Sequence, residues 1–225
     1  MDAAFAAQTP VPSTFFGRAR NAIGAARGLA KDPNRLDLVF VLGESLNRPA
    51  FPHIWALFES DPTGARILET RPEINSAHVD LDALARLPDG TLGREYARFL
   101  RGNGLTLDVF KAPLGVDPRA AFLMQRIRQT HDLWHVVTGY SPDVPGEVLL
   151  QAFTFAQLRT PSSLLIALLG TTRLALRGRL SCVPRLFNAF RHGARAKKMA
   201  PMYWEEHWTD SVESLRETLA CPAAA

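Results

Sequence analysis

One stretch of this chain, Arg128 to Phe153 (RQTHDLWHVVTGYSPDVPGEVLLQAF), constrains its architecture more tightly than any other. It holds four groups able to bind a divalent metal, His131, Asp132, His135 and Glu147, in the pattern H-D-x-x-H, eleven residues, E. Two histidines four apart share one face of an α-helix, one turn apart, and Asp132 lies on the edge of that face. The flanking residues support the helix. From Pro118 to Val137 there is no glycine and no internal proline, and Ala121, Met124, Ile127, His131, Trp134 and Thr138 recur at three-to-four residue intervals. Pro118 suits a first turn, and Asp117 before it is the expected N-cap.

Gly139 is the expected stop, and Ser141 to Gly146 (SPDVPG) reads as a turn-rich connector. A second helix is expected from near Glu147 through VLLQAFTFAQL. A short connector usually makes two helices antiparallel neighbours. Glu147 would then face the two histidines, giving a two-His, two-carboxylate site on a helical hairpin. That donor set suits Zn, Fe(II), Mn or Co better than Ca or Mg, which prefer oxygen-only shells. If all four groups bind, the metal is structural; if one carboxylate is labile, positions open for water or substrate. The plainer alternative is an H-x-x-x-H arising by chance, with Glu147 a helix-start acid favoured by the dipole.

The residues around the motif resemble one family. H-D-x-x-H-x(11)-E is the signature of the ubiquinone (coenzyme Q) biosynthesis protein Coq-four family. Leu87 to Tyr96 (LPDGTLGREY) resembles its L-P-x-G-[ST]-L-G-R-x-Y segment. Met124 to Arg128 resembles its Q-R-x-R run, and Met202 to Trp208 (MYWEEHW) its late aromatic segment. The likeness runs in order from about residue 35 to 220. It departs at Ile127, Trp204 and Glu206-His207, none of which is a candidate ligand. The resemblance implies an all-α fold with one bound divalent metal, zinc first, held by His131, Asp132, His135 and Glu147. It implies a pocket for a prenylated aromatic precursor, and oxidative decarboxylation at ring carbon C1, where a hydroxyl replaces the carboxyl. It equally implies an alternative: a lipid-binding scaffold that gathers other ubiquinone biosynthesis proteins, with a structural metal. An HD-type phosphohydrolase, suggested by His131-Asp132, would scatter its remaining ligands along the chain, and here they are missing.

Two further residues are candidates for binding substrate. Arg128, one turn before His131, either pairs with a substrate carboxylate or orients Asp132 or Glu147. Tyr203 belongs to the cluster Tyr203, Trp204, Trp208, which reads as core or interface, or as a pocket wall offering a hydroxyl.

Size fits one multi-helix domain, and an apolar content of 47% fills its core. The expected organisation is a disordered segment over 1–14, an amphipathic helix or arm over 15–34, and the metal- and lipid-binding helical domain over 35–221. Further helices are expected over 36–46, 51–58, 64–69, 81–87, 92–101, 162–176, 183–192 and 208–219. A loop over 105–116 is a candidate entrance to the site. Cys182 and Cys221 are too few and too unpatterned for a disulfide framework or a thiolate site. The longest weakly polar run, Thr160 to Thr172, lies between two arginines and is shorter than the ~20 apolar residues of a membrane span.

Charge is unevenly spread. The net charge is +4, yet from Val148 to Trp204 there is no acidic residue and nine basic ones. A basic, Leu- and Phe-rich helical surface is what an anionic membrane attracts; the alternative is a solvated basic face. No base-reading or base-stacking module for nucleic acid is present. Together with the family resemblance, the expected location is cytoplasmic and peripheral on the inner membrane, or, as the resemblance implies for a eukaryote, the matrix side of the mitochondrial inner membrane. The apolar helices and late aromatics admit a homodimer.

Overall fold

Helix boundaries follow the local capping chemistry. In the computed structural model, which describes residues 11–33, 35–109 and 112–224, α1 (Phe15–Lys31) begins at Thr14, whose hydroxyl accepts from the Gly17 amide. It is followed by α2 (Leu36–Leu46), α3 (Phe51–Glu59), α4 (Pro62–Thr70) and α5 (Leu81–Ala85). Asp61 and Asp80 cap α4 and α5 through their carboxylates. Then come α6 (Leu92–Gly102), α7 (Pro118–Thr138), α8 (Val144–Leu158), α9 (Pro161–Leu176), α10 (Cys182–Arg195) and α11 (Val212–Thr218). The chain is a single all-α domain, with no strand among the described residues.

Of the segment expected to be disordered, residues 1–10 lie outside the described residues; the Val11 amide donates to the Leu114 carbonyl, and Thr14 caps α1. In the 105–116 segment, Leu107–Val109 forms a 3-10 turn, and residues 110 and 111 lie outside the described set.

The two helix starts that differ most from expectation are those of α8 and α11. α8 starts at Val144, so Pro145 and Gly146 belong to its first turn. Asp143 caps the Gly146 amide at 2.9 Å, and proline's fixed φ suits a helix start. The last helix starts at Val212, not Trp208. Here the backbone has a better use: the Trp208 and Asp210 carbonyls accept the amides of Gly93 and Leu92, at the start of α6. These amides have no partner inside their own helix.

α8 lies closest to α10 and α9, and α7 lies against α6 and α11. α7 and α8 do not approach each other as closely as α8 and α10, so the hairpin is more open than a tightly packed pair. Small residues set the difference: a Cβ on Gly193 of α10 would meet the Phe153 carbonyl oxygen of α8 at 2.5 Å. Trp134 and Phe153, edge to face at 6.1 Å, fill the wider gap between α7 and α8. The main core joins α3 to α11 around Trp134, Trp204, Phe58 and Phe153. A smaller core of Ala22, Ala25 and Leu42 docks α1 and α2 on α9, leaving Phe15, Phe16 and Ile23 exposed.

The end of α7 is satisfied from far along the chain. Of its last four carbonyls, His135 accepts from the Gly139 amide, and Gly139, at φ 76°, turns the chain away. The Val136 and Val137 carbonyls accept from the Arg216 guanidinium at 3.2 and 2.8 Å. The Thr138 carbonyl accepts from the Ala224 amide at 2.7 Å. Replacing Arg216 with Ala leaves two carbonyls without partners and is expected to cost about 2 kcal/mol. Urea unfolding of the variant beside the native chain measures it, and an unchanged midpoint would refute this role for Arg216.

Candidate metal centre

His131 and His135 project from one face of α7, as the four-residue spacing requires. Glu147 comes from the first turn of α8, where a carboxylate is favoured by the helix dipole. Its Oε2 lies 3.0 Å from His135 Nε2 and 3.3 Å from His131 Nε2. One ligand atom from each residue falls within 4.8 Å of the others.

His135 and Glu147 are each held from behind. His135 Nδ1 lies 2.9 Å from the Tyr140 carbonyl oxygen. A carbonyl only accepts, so Nδ1 carries the hydrogen and Nε2 presents its lone pair toward Glu147. Gln151, four residues along α8, donates to Glu147 Oε1 at 2.8 Å, which leaves Oε2 to face the histidines. Phe99 of α6 stacks on the His135 ring at 5.3 Å. Two lone pairs, Nε2 and Oε2, thus point at each other across hydrogen-bonding distance, and something positive must lie between them: a proton or a cation. Two imidazoles and a carboxylate suit a borderline divalent ion. The site is closed on one flank and open on the other, with side-chain exposures of 2% for His135, 24% for His131 and 35% for Glu147.

Asp132 does not join the trio. It is one residue beyond His131, about 100° around the helix, and it is buried. It makes no hydrogen bond among the described residues. Burial pushes its carboxyl above the ordinary range, while the charges of His131 and His135 pull the other way. Arg128 reaches neither carboxylate named for it: it donates to Glu44 of α2 at 2.9 Å, with its guanidinium 4.6 Å over the Phe40 ring. Tyr203 lies against α4, its ring under Arg66 at 4.7 Å and its hydroxyl 3.4 Å from Thr70 Oγ1. Its neighbours in the aromatic cluster are core: Trp204 is fully buried, and Trp208 stacks on Tyr96. The supports Phe99, Tyr140 and Gln151 went unpredicted. Only Gln151 carried a signal, its place one turn after Glu147.

Without metal, the trio carries a proton of its own. Burial alone would lower the His131 pKa, but the charge and hydrogen bond of Glu147, with Asp132 adding, push it up to about 9. Burial would raise Glu147, but the two histidines hold it well below the carboxylate range. A raised histidine stabilises the fold fully below its unfolded value of 6.5, and that stability drains away as pH rises through about 9. The lowered Glu147 loses its contribution only on the acid side, below its unfolded value of 4.5. Chelator-treated protein is therefore expected to melt at progressively lower temperature as pH climbs from 6.5 through about 9. Glu147→Gln flattens that slope. A melting temperature that rises over this range would contradict the pairing.

Comparison with known proteins gives a consistent picture. The profile of the family described as "Coenzyme Q (ubiquinone) biosynthesis protein Coq4" matches residues 8–223. A zebrafish (Danio rerio) relative, the mitochondrial ubiquinone biosynthesis protein COQ4 homolog, is 36% identical over 93% of this chain and 78% of its own length. The Aspergillus fumigatus relative is 38% identical over 93% of this chain and 74% of its own. The human relative is 35% identical over 90% and 77%. Among solved structures, a Nostoc punctiforme protein named for ubiquinone biosynthesis superposes with a TM-score of 0.73 at 25% identity, over 91% of this chain and 99% of that one.

Proposed function

The chain belongs to the coenzyme Q (ubiquinone) biosynthesis protein Coq4 family, and from that premise we propose that it is a metal-dependent enzyme acting on a prenylated aromatic acid. The reaction replaces the ring C1 carboxyl with a hydroxyl. The ring–carboxyl bond breaks to release carbon dioxide, and a ring–oxygen bond forms. The ring system loses two electrons, which dioxygen accepts. Aromatic acid, water and dioxygen then balance phenol, carbon dioxide and hydrogen peroxide. The observation that carries this reading is the convergence of His131, His135 and Glu147 beside an open flank.

His131, His135 and Glu147 would hold the cation, zinc first, with iron, cobalt or manganese as alternatives. A cation bound there would supply Lewis acidity toward the substrate's carboxylate or phenol oxygens. Phe99 and the buried side of His135 keep water from one flank of the trio. Asp132, buried and without a hydrogen bond among the described residues, is our proposed acceptor of a proton from the substrate phenol or from water. Arg128 is already engaged by Glu44, so substrate-carboxylate binding would have to come from the cation.

The expected result is about one equivalent of zinc, iron, cobalt or manganese in protein purified without chelator, absent from His135→Ala, with conversion of a prenylated 4-hydroxybenzoate lost in the same variant. Turnover that persists without metal would sink the proposal. A second reading rests on the way the trio ties α7 to α8: the same groups would make a structural clamp in a lipid-binding scaffold. In that case His135→Ala loses stability, and the native protein converts no precursor whichever metal is supplied.

Such a substrate is a membrane lipid, and α9 and α10 offer a surface suited to reaching it. Leu176, Leu180, Val183 and Phe187 are exposed there among Arg177, Arg179 and Arg185. No described helix is long and apolar enough to cross a membrane. We place this face on the anionic leaflet, which in a mitochondrial setting like that of the named relatives would be the matrix side of the inner membrane. Each arginine near such a surface is worth about 1 kcal/mol. Cosedimentation with phosphatidylglycerol vesicles should therefore fall roughly a hundredfold in affinity when all three arginines become Gln. Equal binding to neutral vesicles would rule out the electrostatic part.

A further inference from the structure

His135 owes its heading to a backbone carbonyl outside its own helix, that of Tyr140 in the 139–143 connector. Behind that carbonyl the Tyr140 side chain is buried against two other elements. Its ring meets Phe153 of α8 at 6.3 Å and His192 of α10 at 5.9 Å, both edge-on. Its hydroxyl lies 3.1 Å from His192 Nδ1. The other ring nitrogen of His192, Nε2, lies 3.3 Å from the Sγ of Cys221, a fully buried residue just beyond α11. Burial pushes the Cys221 thiol up to about 12, so it stays a protonated, hydrogen-bonding group.

The result is a series of contacts from Cys221 through His192 and Tyr140 to His135, crossing four separate segments. A neutral imidazole donates at one nitrogen and accepts at the other, so each contact at His192 constrains the next. The trio does not contain these residues, and ordinary core packing does not need three polar groups in series. The same corner receives the Ala224 amide on Thr138, so the connector is braced from both sides.

We propose that Tyr140, His192 and Cys221 are positioning residues that fix the tautomer and heading of His135 for a cation held with His131 and Glu147. The proposal rests on the reading of the trio as a metal site. If Tyr140 loses its anchor, its carbonyl drifts, Nδ1–H loses its acceptor, and His135 divides between tautomers, only one of which offers Nε2. Groups that orient a metal-bound histidine from behind are worth about 10- to 100-fold in metal affinity.

Cobalt(II) titration of chelator-stripped protein, followed by its visible absorption, tests this. Native protein should take up about one equivalent and His135→Ala none. Tyr140→Phe, which keeps the ring, and His192→Leu should bind about 10- to 100-fold more weakly with an altered spectrum. Cys221→Ser should bind as the native chain does, and Cys221→Val more weakly. Ile67→Ala, a core cavity on α4, controls for general loss of stability and should leave the affinity unchanged. Native-like binding by Tyr140→Phe and His192→Leu, or equal weakening in Ile67→Ala, overturns the positioning role while leaving the metal site standing. Native-like binding by Cys221→Val removes Cys221 from the series. No binding by the native protein, or undiminished binding by His135→Ala, overturns the metal reading itself.

Discussion

The last turn of α7 governs much else in this molecule. Four carbonyls at a helix end must find donors or water, and here one is met by the next glycine and three by residues near the other end of the chain. Those bonds set where α11 and the residues after it lie. They also set how the connector to α8 departs, and so where Glu147 meets the two histidines. A buried ion pair braces the other half of the helix: Arg126 grips Glu205 through both carboxylate oxygens at 2.6 and 2.8 Å. A buried pair of this kind is weak evidence of stability. It nonetheless ties α7 to the late aromatic segment at one defined register.

How legible was this in the sequence? Helix α7 could be read nearly residue for residue, because Asp117, Pro118 and Gly139 are local signals and helices are built from local bonds. The meeting of His131, His135 and Glu147 was legible for the same reason, through a four-residue spacing and a short connector. Asp132 was grouped with them because the pattern is written along the chain, whereas the side chain points around the helix axis. Arg128 was assigned by proximity in sequence and Tyr203 by its aromatic cluster, and their partners, Glu44 and Arg66, come from helices far upstream. The start of α11 was misplaced because nothing in Trp208 to Ser211 reveals that its carbonyls are wanted by α6. For Arg128, Tyr203 and α11, what failed was long-range pairing.

The site and the surface divide the molecule's chemistry between them. Acidic groups cluster around α6, α7 and the first turn of α8, where they meet histidine or arginine in defined pairs. From Val148 to Trp204 the acids vanish, and α9 and α10 carry exposed leucines among arginines, with Asp143, before α8, the carboxylate near Arg179 and Arg185. α8 belongs to both regions: its first turn supplies Glu147, and its body packs tightly on α10 through Gly193. A displacement of α10 relative to the rest would therefore be felt at Glu147 through a single rigid helix.

The distant capping of α7 also bears on the order in which the protein is made. Arg216 serves carbonyls 79 and 80 positions earlier in the chain. A ribosome that has just finished α7 has yet to add the residues that close it. During synthesis the helix carrying both histidines waits with a frayed end, and its final turn sets only when α11 has emerged. A cation held by the trio would thereby be loaded late in biogenesis, timed by translation of the C-terminal segment and not by the appearance of the ligands themselves.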